Sequence, residues 1–417
     1  MNRRTAIVFL IATVFALTAV SFSPWPRRAE AQFPTSFGAT RFPAIDVDKD
    51  DNIFLMMSVA TAPASERRPH SQIFFTQSHD GGTNWDNLPE TRNLTKSKGE
   101  AFGPSLAITK RGTTRAYVTY HDNSTGPYQV YLIKSKKKAK FKKPVNITTH
   151  DGGAFSPRIA LDSNEAVNIT WGDTLGGGRR VMFARSTDQG ETFAEPVNIS
   201  RSPGDAFEPE IAVDQNGAIN IAWEDTAPGA NSIMFSRSTD EGKTFSTPLQ
   251  VSKGTAVASE AHIASDSAGR LSVVWVQGNE DEKQAYYARS TDGGQTFSDP
   301  ITLSNTEGAS ISKPVVTTFQ NTVYVAYQNE VRRDMQVYLV KSEDAGASFS
   351  NPVQVSNADN NKGRAHSAAM VVDSKGVLHI VWIDASIVGD DEGLLFYSNT
   401  SNGRRFSRQQ MILAAIL

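Results

Sequence analysis

The chain has 417 residues, no cysteine, and 42 Lys and Arg against 44 Asp and Glu, a formal charge of −2. The missing cysteines exclude disulfides, thiolate metal sites, a cysteine nucleophile and a lipid-modified cysteine. The near-neutral balance carries no electrostatic footprint for nucleic acid. A chain of this length can bury a core large enough to need no covalent staples.

The N-terminus reads Asn2-Arg3-Arg4, then an apolar run from Ala6 to Phe22, then Ala29-Glu30-Ala31. A positive start, an apolar middle and a small-x-small site describe an export signal over residues 1–31, cleaved after Ala31. An uncleaved anchor is the alternative. No later stretch is long and apolar enough to span a bilayer. The expectation is a secreted or periplasmic protein, exported by this signal peptide, with no membrane span after signal removal. A cysteine-free exported chain fits a bacterial envelope or secreted protein.

Beyond the signal, one phrase keeps returning. It reads Ser78-His-Asp80-Gly-Gly82-Thr-Asn-Trp85, Ser186-Thr-Asp188-Gln-Gly190-Glu-Thr-Phe193, Ser238-Thr-Asp240-Glu-Gly242-Lys-Thr-Phe245, Ser290-Thr-Asp292-Gly-Gly294-Gln-Thr-Phe297 and Ser342-Glu-Asp344-Ala-Gly346-Ala-Ser-Phe349. A lysine-filled version ends at Phe141 and a worn copy at Phe406; from Phe141 to Phe349 the rings stand 52 residues apart each time. A fixed period near 50 marks an array of one supersecondary unit.

Residues 207–252 show the unit. Four short β-type runs are split by turns, and Asp214-Gln-Asn-Gly217 is a tight turn in which glycine supplies positive φ. Alternation of Ile219, Ile221 and Trp223 puts every second side chain on one face. Trp171, Trp223, Trp275 and then Tyr327 recur at the end of the second run, 52 apart. One four-stranded sheet cannot bury both faces alone, whereas radially stacked sheets bury one another. The fold class is therefore all-β, a β-propeller of four-stranded antiparallel blades forming a single domain over residues 32–417. First strand pairs begin near Pro43, Pro104, Pro157, Pro209, Ala261, Pro314 and Ala368, which gives seven blades; six with an appended hairpin is the alternative. In the recurring phrase the aspartate accepts hydrogen bonds from its own turn and the ring plugs the gap between strands three and four. One acid per turn is too few for a Ca²⁺ loop, so Asp80, Asp188, Asp240, Asp292 and Asp344 are read as structural, with no metal and no cofactor. A clustered-acid Ca²⁺ site from Glu208 and Glu260 is the minority alternative.

These phrases resemble the Asp-boxes, or BNR repeats, of the sialidase superfamily, and the resemblance covers nearly all of residues 40–406. It implies a sialidase-like propeller with the boxes on the outer rim, away from a central funnel. Sialidase chemistry would need arginines clamping a carboxylate, a tyrosine nucleophile with its glutamate, and an acid for the leaving group. Thr40-Arg41-Phe42-Pro43 resembles the family's first arginine phrase, and Glu208 or Glu260 stands where its glutamate would. The loop Ser65–Ser71 has no aspartate for the acid. His366 replaces the tyrosine, and no second arginine follows Trp223.

Loops joining strands two and three collect with blade starts around one channel mouth, and the blade starts carry charge: Arg41, Arg158, Glu208, Glu210, Glu260, His262, Lys313, Arg364 and His366. Glu208, Glu260 and Lys313 share one slot, immediately before Pro or Ala. Such side chains suit a polar ligand. The reading is an exported sialidase-like β-propeller, a monomer, which binds an extracellular glycan or peptide at its channel mouth without sialidase activity. The runner-up is an exo-α-sialidase or related glycoside hydrolase with Arg41, Glu208, Glu260 and His366 in its site. A third reading is an envelope protein-interaction scaffold.

Overall fold

The computed structural model describes residues 37–61, 70–86, 93–136, 140–279, 282–304, 309–331, 334–356, 363–386 and 393–412. The expected signal segment, loop residues 65–69 and the side chain of Arg41 lie outside them.

The described residues form 27 strands and no helix. The same antiparallel path repeats along the chain. The first sheet has three strands, β1 (Phe37–Val47), β2 (Ile53–Thr61) and β3 (His70–Ser78), and an isolated bridge from Phe74 to Asn93 stands where a fourth strand would pair. Four-stranded sheets follow as β4–β7 (Ala101–Ile108, Ala116–Asp122, Gln129–Lys134, Val145–Asn146), β8–β11 (Ala154–Leu161, Val167–Asp173, Arg180–Ser186, Val197–Asn198) and β12–β15 (Ala206–Val213, Ile219–Asp225, Ser232–Ser238, Leu249–Gln250). Next come β16–β19 (Ala258–Ser265, Leu271–Asn279, Glu282–Ser290, Ile301–Thr302) and β20–β23 (Ser310–Phe319, Thr322–Val331, Asp334–Ser342, Val353–Gln354), joined into one eight-stranded sheet through a single parallel pairing of Lys283 with Ser310. The last sheet is β24–β27 (Ala365–Val372, Leu378–Asp384, Leu394–Thr400, Gln410–Met411).

From β8 onward the second strand of each path is the most deeply buried. In β13 both faces are covered, with Ile221 and Trp223 packed toward the sheet before and Ala222 toward the sheet after. Its second face carries Asn220, fully buried, whose amide donates to the carbonyls of Ala212 and Ala218 and whose oxygen accepts from Arg237. Three strand-ending tryptophans are buried with their indole N–H satisfied, Trp171 by Asp173 at 2.9 Å, Trp223 by Asp225 at 3.1 Å and Trp275 by Gln277 at 3.0 Å, whereas the buried Trp382 Nε1 in β25 has no partner among the described residues. A buried donor left unpaired is costly.

Each apolar cluster is shared between two successive sheets. Ile221 and Trp223 pack with Val181 and Phe183 of the sheet before, and Ile233 and Phe235 pack with Val273 and Trp275 of the sheet after. Ile53, Leu55 and Met57 of the first sheet share a cluster with Val381, Ile383 and Tyr397 of the last.

The repeated turn is built on its serine and aspartate. Ser238 Oγ donates to Asp240 Oδ1 at 2.8 Å and accepts from Gly242 N at 2.9 Å, while Asp240 accepts from Thr244 N at 2.9 Å and Thr244 Oγ1 at 2.6 Å. The backbone bond recurs at Asp80, Asp188, Asp292 and Asp344, and the hydroxyl bond at the last three, the Asn84 amide replacing it at Asp80. The ring clusters with residues of its own sheet, Phe245 with Ile221, Trp223 and Met234, and reaches beyond it. It packs edge-on against a third-strand ring of the preceding sheet, Phe245 on Phe183 at 5.2 Å and Phe297 on Phe235 at 5.1 Å. The turn is thus a joint between sheets.

Candidate functional site

Every first strand carries a bulge at the same place. Phe207 pairs with Glu224 and Glu210 with Ala222, so three steps on β12 oppose two on β13; equivalent shifts occur in β1, β4, β8, β16, β20 and β24. The extra residue has positive φ each time: Phe42 51°, Gly103 58°, Ser156 48°, Glu208 48°, Glu260 57°, Lys313 46° and Ser367 54°. Six of the seven are not glycine, and each such residue stores on the order of 1–3 kcal/mol of backbone strain. A bulge re-aims side chains. Six of the seven slot residues, all but Ser156, line one cavity.

That cavity measures about 460 Å³ and is lined by all seven first strands, with Glu224 added from β13. Hydrogen bonds lace its wall from sheet to sheet. Ser156 Oγ donates to Glu208 at 2.9 Å, and the backbone N–H of Glu260 donates to Glu224 at 2.7 Å. The Lys313 backbone N–H donates to Glu260, Lys313 Nζ donates to Ser367 Oγ at 2.9 Å, and Ser367 N donates to Gln328 Oε1 at 2.8 Å. Lys313 Nζ also lies 5.9 Å from the ring centre of Phe42, which is 45% exposed.

Deeper in the wall Arg158 Nε donates to Glu210 at 2.6 Å. Burial works to lower the Arg158 pKa, but Glu210 and Glu208 outweigh it and raise the value overall. His262 is held below the ordinary imidazole range, first by burial and then by Arg158, against the opposing pull of Glu210. Its Nδ1 accepts from Val316 N at 3.3 Å. Glu224 is raised, first by burial and then by the Glu208 and Glu260 charges, although Glu260 N and Asn231 donate to it. The described lining carries four carboxylates, Glu208, Glu210, Glu224 and Glu260, against two permanent cations, Arg158 and Lys313. Among the described residues no group of three or more His, Asp or Glu is placed to hold a metal ion.

Of the residues singled out from sequence, Arg158, Glu208, Glu210, Glu260, His262 and Lys313 meet in this cavity. Arg41 lies in β1, with its side chain outside the described residues. Arg364 is exposed, at a strand bridge to Met335, and is not part of the lining. His366 is not among the lining residues, but its Nδ1 lies 3.1 Å from the Oγ of Ser367, which is. Sequence reading passed over Gly103, Ser156 and the bonding role of Gln328. The first two share the slot before proline with Glu208, so aligning the repeats finds them; Gln328 has no such signal.

A second feature lies beside Gly103. His121 is ringed by Phe102, Tyr128 and Phe155 at 5.2–6.2 Å between ring centres. Burial, then Arg158, pushes its pKa down to about 4. Its Nδ1 is buried without a hydrogen-bond partner, which favours the neutral tautomer with the proton on Nε2.

No family model matches the chain, and no curated protein matches it. Solved structures do. An ulvan lyase of polysaccharide lyase family 25, solved bound to GlcA(1-4)Rha3S, is similar with TM-score 0.63 and 10% identity over 91% of this chain and 97% of that one. A second polysaccharide lyase is similar with TM-score 0.55 and 11% identity over 85% and 89%. A leech intramolecular trans-sialidase reaches TM-score 0.45 and 14% identity over 83% and 65%, too distant to carry an argument. At these identities the likeness speaks for fold. The chain has an all-β fold of four-stranded antiparallel sheets, of the β-propeller type seen in those lyases.

Proposed function

We propose that the chain is an exported, seven-bladed Asp-box propeller of the sialidase superfamily that binds a glycan at its central cavity and has no sialidase turnover. One observation carries the reading. A single cavity is lined by six of the seven positive-φ slot residues, four of them polar, while β8 contributes Arg158 and Ile159 instead of its slot residue. Strain repeated around one opening is held in place by the packing behind it, and such strain clusters at binding sites. The likeness to lyases that act on polysaccharides supports a saccharide as the ligand class.

The charge of the lining narrows that class. A sialic acid or a sulfated uronate chain needs cations free to meet its anions. Here Arg158 is already paired with Glu210, and carboxylates outnumber cations two to one in the described wall. Neutral or amino-bearing sugars, whose hydroxyl and ammonium groups donate to carboxylates, fit this wall better than anionic ones.

The test is a glycan array probed with the mature chain. Signal concentrated on neutral or amino-bearing glycans, and lost in Glu260→Gln, supports the reading. Signal concentrated on sialylated or sulfated glycans, or none at all, overturns it.

A further inference from the structure

Ser367 occupies the strained slot of the last sheet at φ 54°, and its side chain is part of the cavity wall. Its Oγ lies 2.9 Å from Lys313 Nζ and 3.1 Å from His366 Nδ1. An ammonium has only donors to offer, so Oγ accepts from Lys313. The Oγ–H is then free to donate to His366 Nδ1. The backbone is fixed as well: Ser367 N donates to Gln328 Oε1 at 2.8 Å, and Gln328 Nε2 donates to Ser312 Oγ at 3.1 Å.

The lacing of the wall explains the contact with Lys313, because slot residues elsewhere also bond from sheet to sheet. It does not explain the imidazole. The residues preceding the other slots are Arg41, Phe102, Phe155, Phe207, Ser259 and Ser312, and none of these can take up a proton at neutral pH. In this one slot of the seven a hydroxyl has a proton acceptor on one side and a cation on the other. A nucleophile within hydrogen-bond reach of its base is the geometry of covalent catalysis.

We propose that Ser367 is the nucleophile of an acyl-transfer site, with His366 as its base and carboxylic esters as its substrates. Ser367 Oγ attacks the ester carbonyl carbon as its proton passes to His366 Nδ1. The carbonyl oxygen takes up negative charge beside the Lys313 ammonium, which stabilises it there. The tetrahedral species collapses, the bond to the alkoxide breaks, and His366 returns the proton to that leaving oxygen. Water, deprotonated by His366, then attacks the acyl-serine, releasing the carboxylic acid and restoring Ser367. The glycan reading bears on this only in naming the natural ester, an O-acylated sugar.

An alkyl fluorophosphonate tests the site without any glycan. Displacement of fluoride by Oγ leaves a phosphonyl ester that peptide mass mapping locates. The expected result is a single label on Ser367 in the folded mature chain, absent after heat denaturation, with labelling slowed about 100-fold in His366→Gln, the scale of lost general-base assistance. Ser367→Ala keeps a non-glycine residue in the left-handed slot, so Ser367→Gly, which relieves the strain, is the companion variant; both should be unlabelled. No label on the wild-type chain, equal labelling of the Ser367 variants, or a wild-type labelling rate in folded His366→Gln overturns the proposal. Wild-type chain on the glycan array, run in parallel, separates the two readings. Array binding without labelling removes only the esterase, and labelling without array binding removes only the glycan receptor.

Discussion

The ring of Phe245 meets the ring of Phe183 edge-on, with centroids 5.2 Å apart and planes at 66°, and the two residues belong to successive sheets. The same joint recurs as Phe297 on Phe235, Phe349 on Tyr287 and Phe141 on Phe75, and Trp85 on Tyr397 joins the first sheet to the last. The 52-residue period is thus the spacing of an inter-sheet joint as well as of a turn. Edge-to-face aromatic pairs contribute about 0.5–1.5 kcal/mol each beyond their area.

The glycine of the turn belongs to that joint. Gly242 has φ +81°, and a Cβ there would lie 2.2 Å from Cε1 of Phe183. Gly242→Ala should destabilise the chain by about 2–4 kcal/mol, through overpacking and left-handed strain together. Urea unfolding reads this out. A midpoint equal to wild type would show that the two sheets are not pressed together there.

Asp240 gives a prediction with a pH window. Hydrogen bonds from the Thr244 hydroxyl and backbone, then from Ser238, hold its carboxyl down at about 2, below the ordinary 3.8. A carboxylate depressed on folding adds stability above its unfolded value and loses that contribution as pH falls through the folded value. Asp240→Ala should therefore melt lower than wild type at neutral pH, with the gap closing between about pH 4 and pH 2. Glycan binding should be unchanged, because the turn is not part of the cavity wall. Thermal melts across that range, paired with array binding, decide it.

His121 acts in a different window. Its folded pKa of about 4 lies below the ordinary 6.5, so the unfolded chain binds the proton more readily. Stability from this group is complete above pH 6.5 and declines as pH falls toward 4, by on the order of 3 kcal/mol in all. Arg158 and Asp122 are the charges that bear on it. His121→Gln should flatten the slope of unfolding free energy against pH in this interval. An unchanged slope would mean that the imidazole is not buried as the structure places it.

The catalytic prediction is negative. A glycosyl nucleophile and an acid must flank the bond to be cut. His366 Nδ1 is bonded to Ser367 Oγ, and Arg158 is occupied by Glu210. Release of sialic acid from α-linked substrates should be undetectable across about pH 4 to 8, the range in which such acids and bases titrate. Robust turnover lost in Glu208→Gln would restore the glycoside hydrolase reading.

The repeat was legible because the turn and the strand-ending tryptophans meet the same physical demand in each copy. Asp240 and Gly242 can be read locally, since a turn is satisfied by its own neighbours. The partner of Phe245 could not be read that way, because Phe183 lies on the preceding sheet and no spacing within one unit points to it. The charged slot showed as Glu208, Glu260 and Lys313, but its meaning rests on a bulge. In Gly103 and Ser156 the same backbone carries no charge to draw notice. His366 was noticed for the tyrosine it replaces, whereas its pairing with Ser367 depends on a left-handed residue that no propensity reveals.

The central claim is that the cavity wall, and not the outer turns, binds a sugar. It is tested most directly by titrating one neutral or amino-bearing oligosaccharide from the array against wild type, Glu260→Gln and Asp240→Ala. Loss of a charged hydrogen-bond acceptor costs about 1.5–3 kcal/mol, so Glu260→Gln should weaken binding roughly 10-fold or more while Asp240→Ala binds as wild type. Unchanged affinity in Glu260→Gln, with binding lost in a folded Asp240→Ala, would contradict the account.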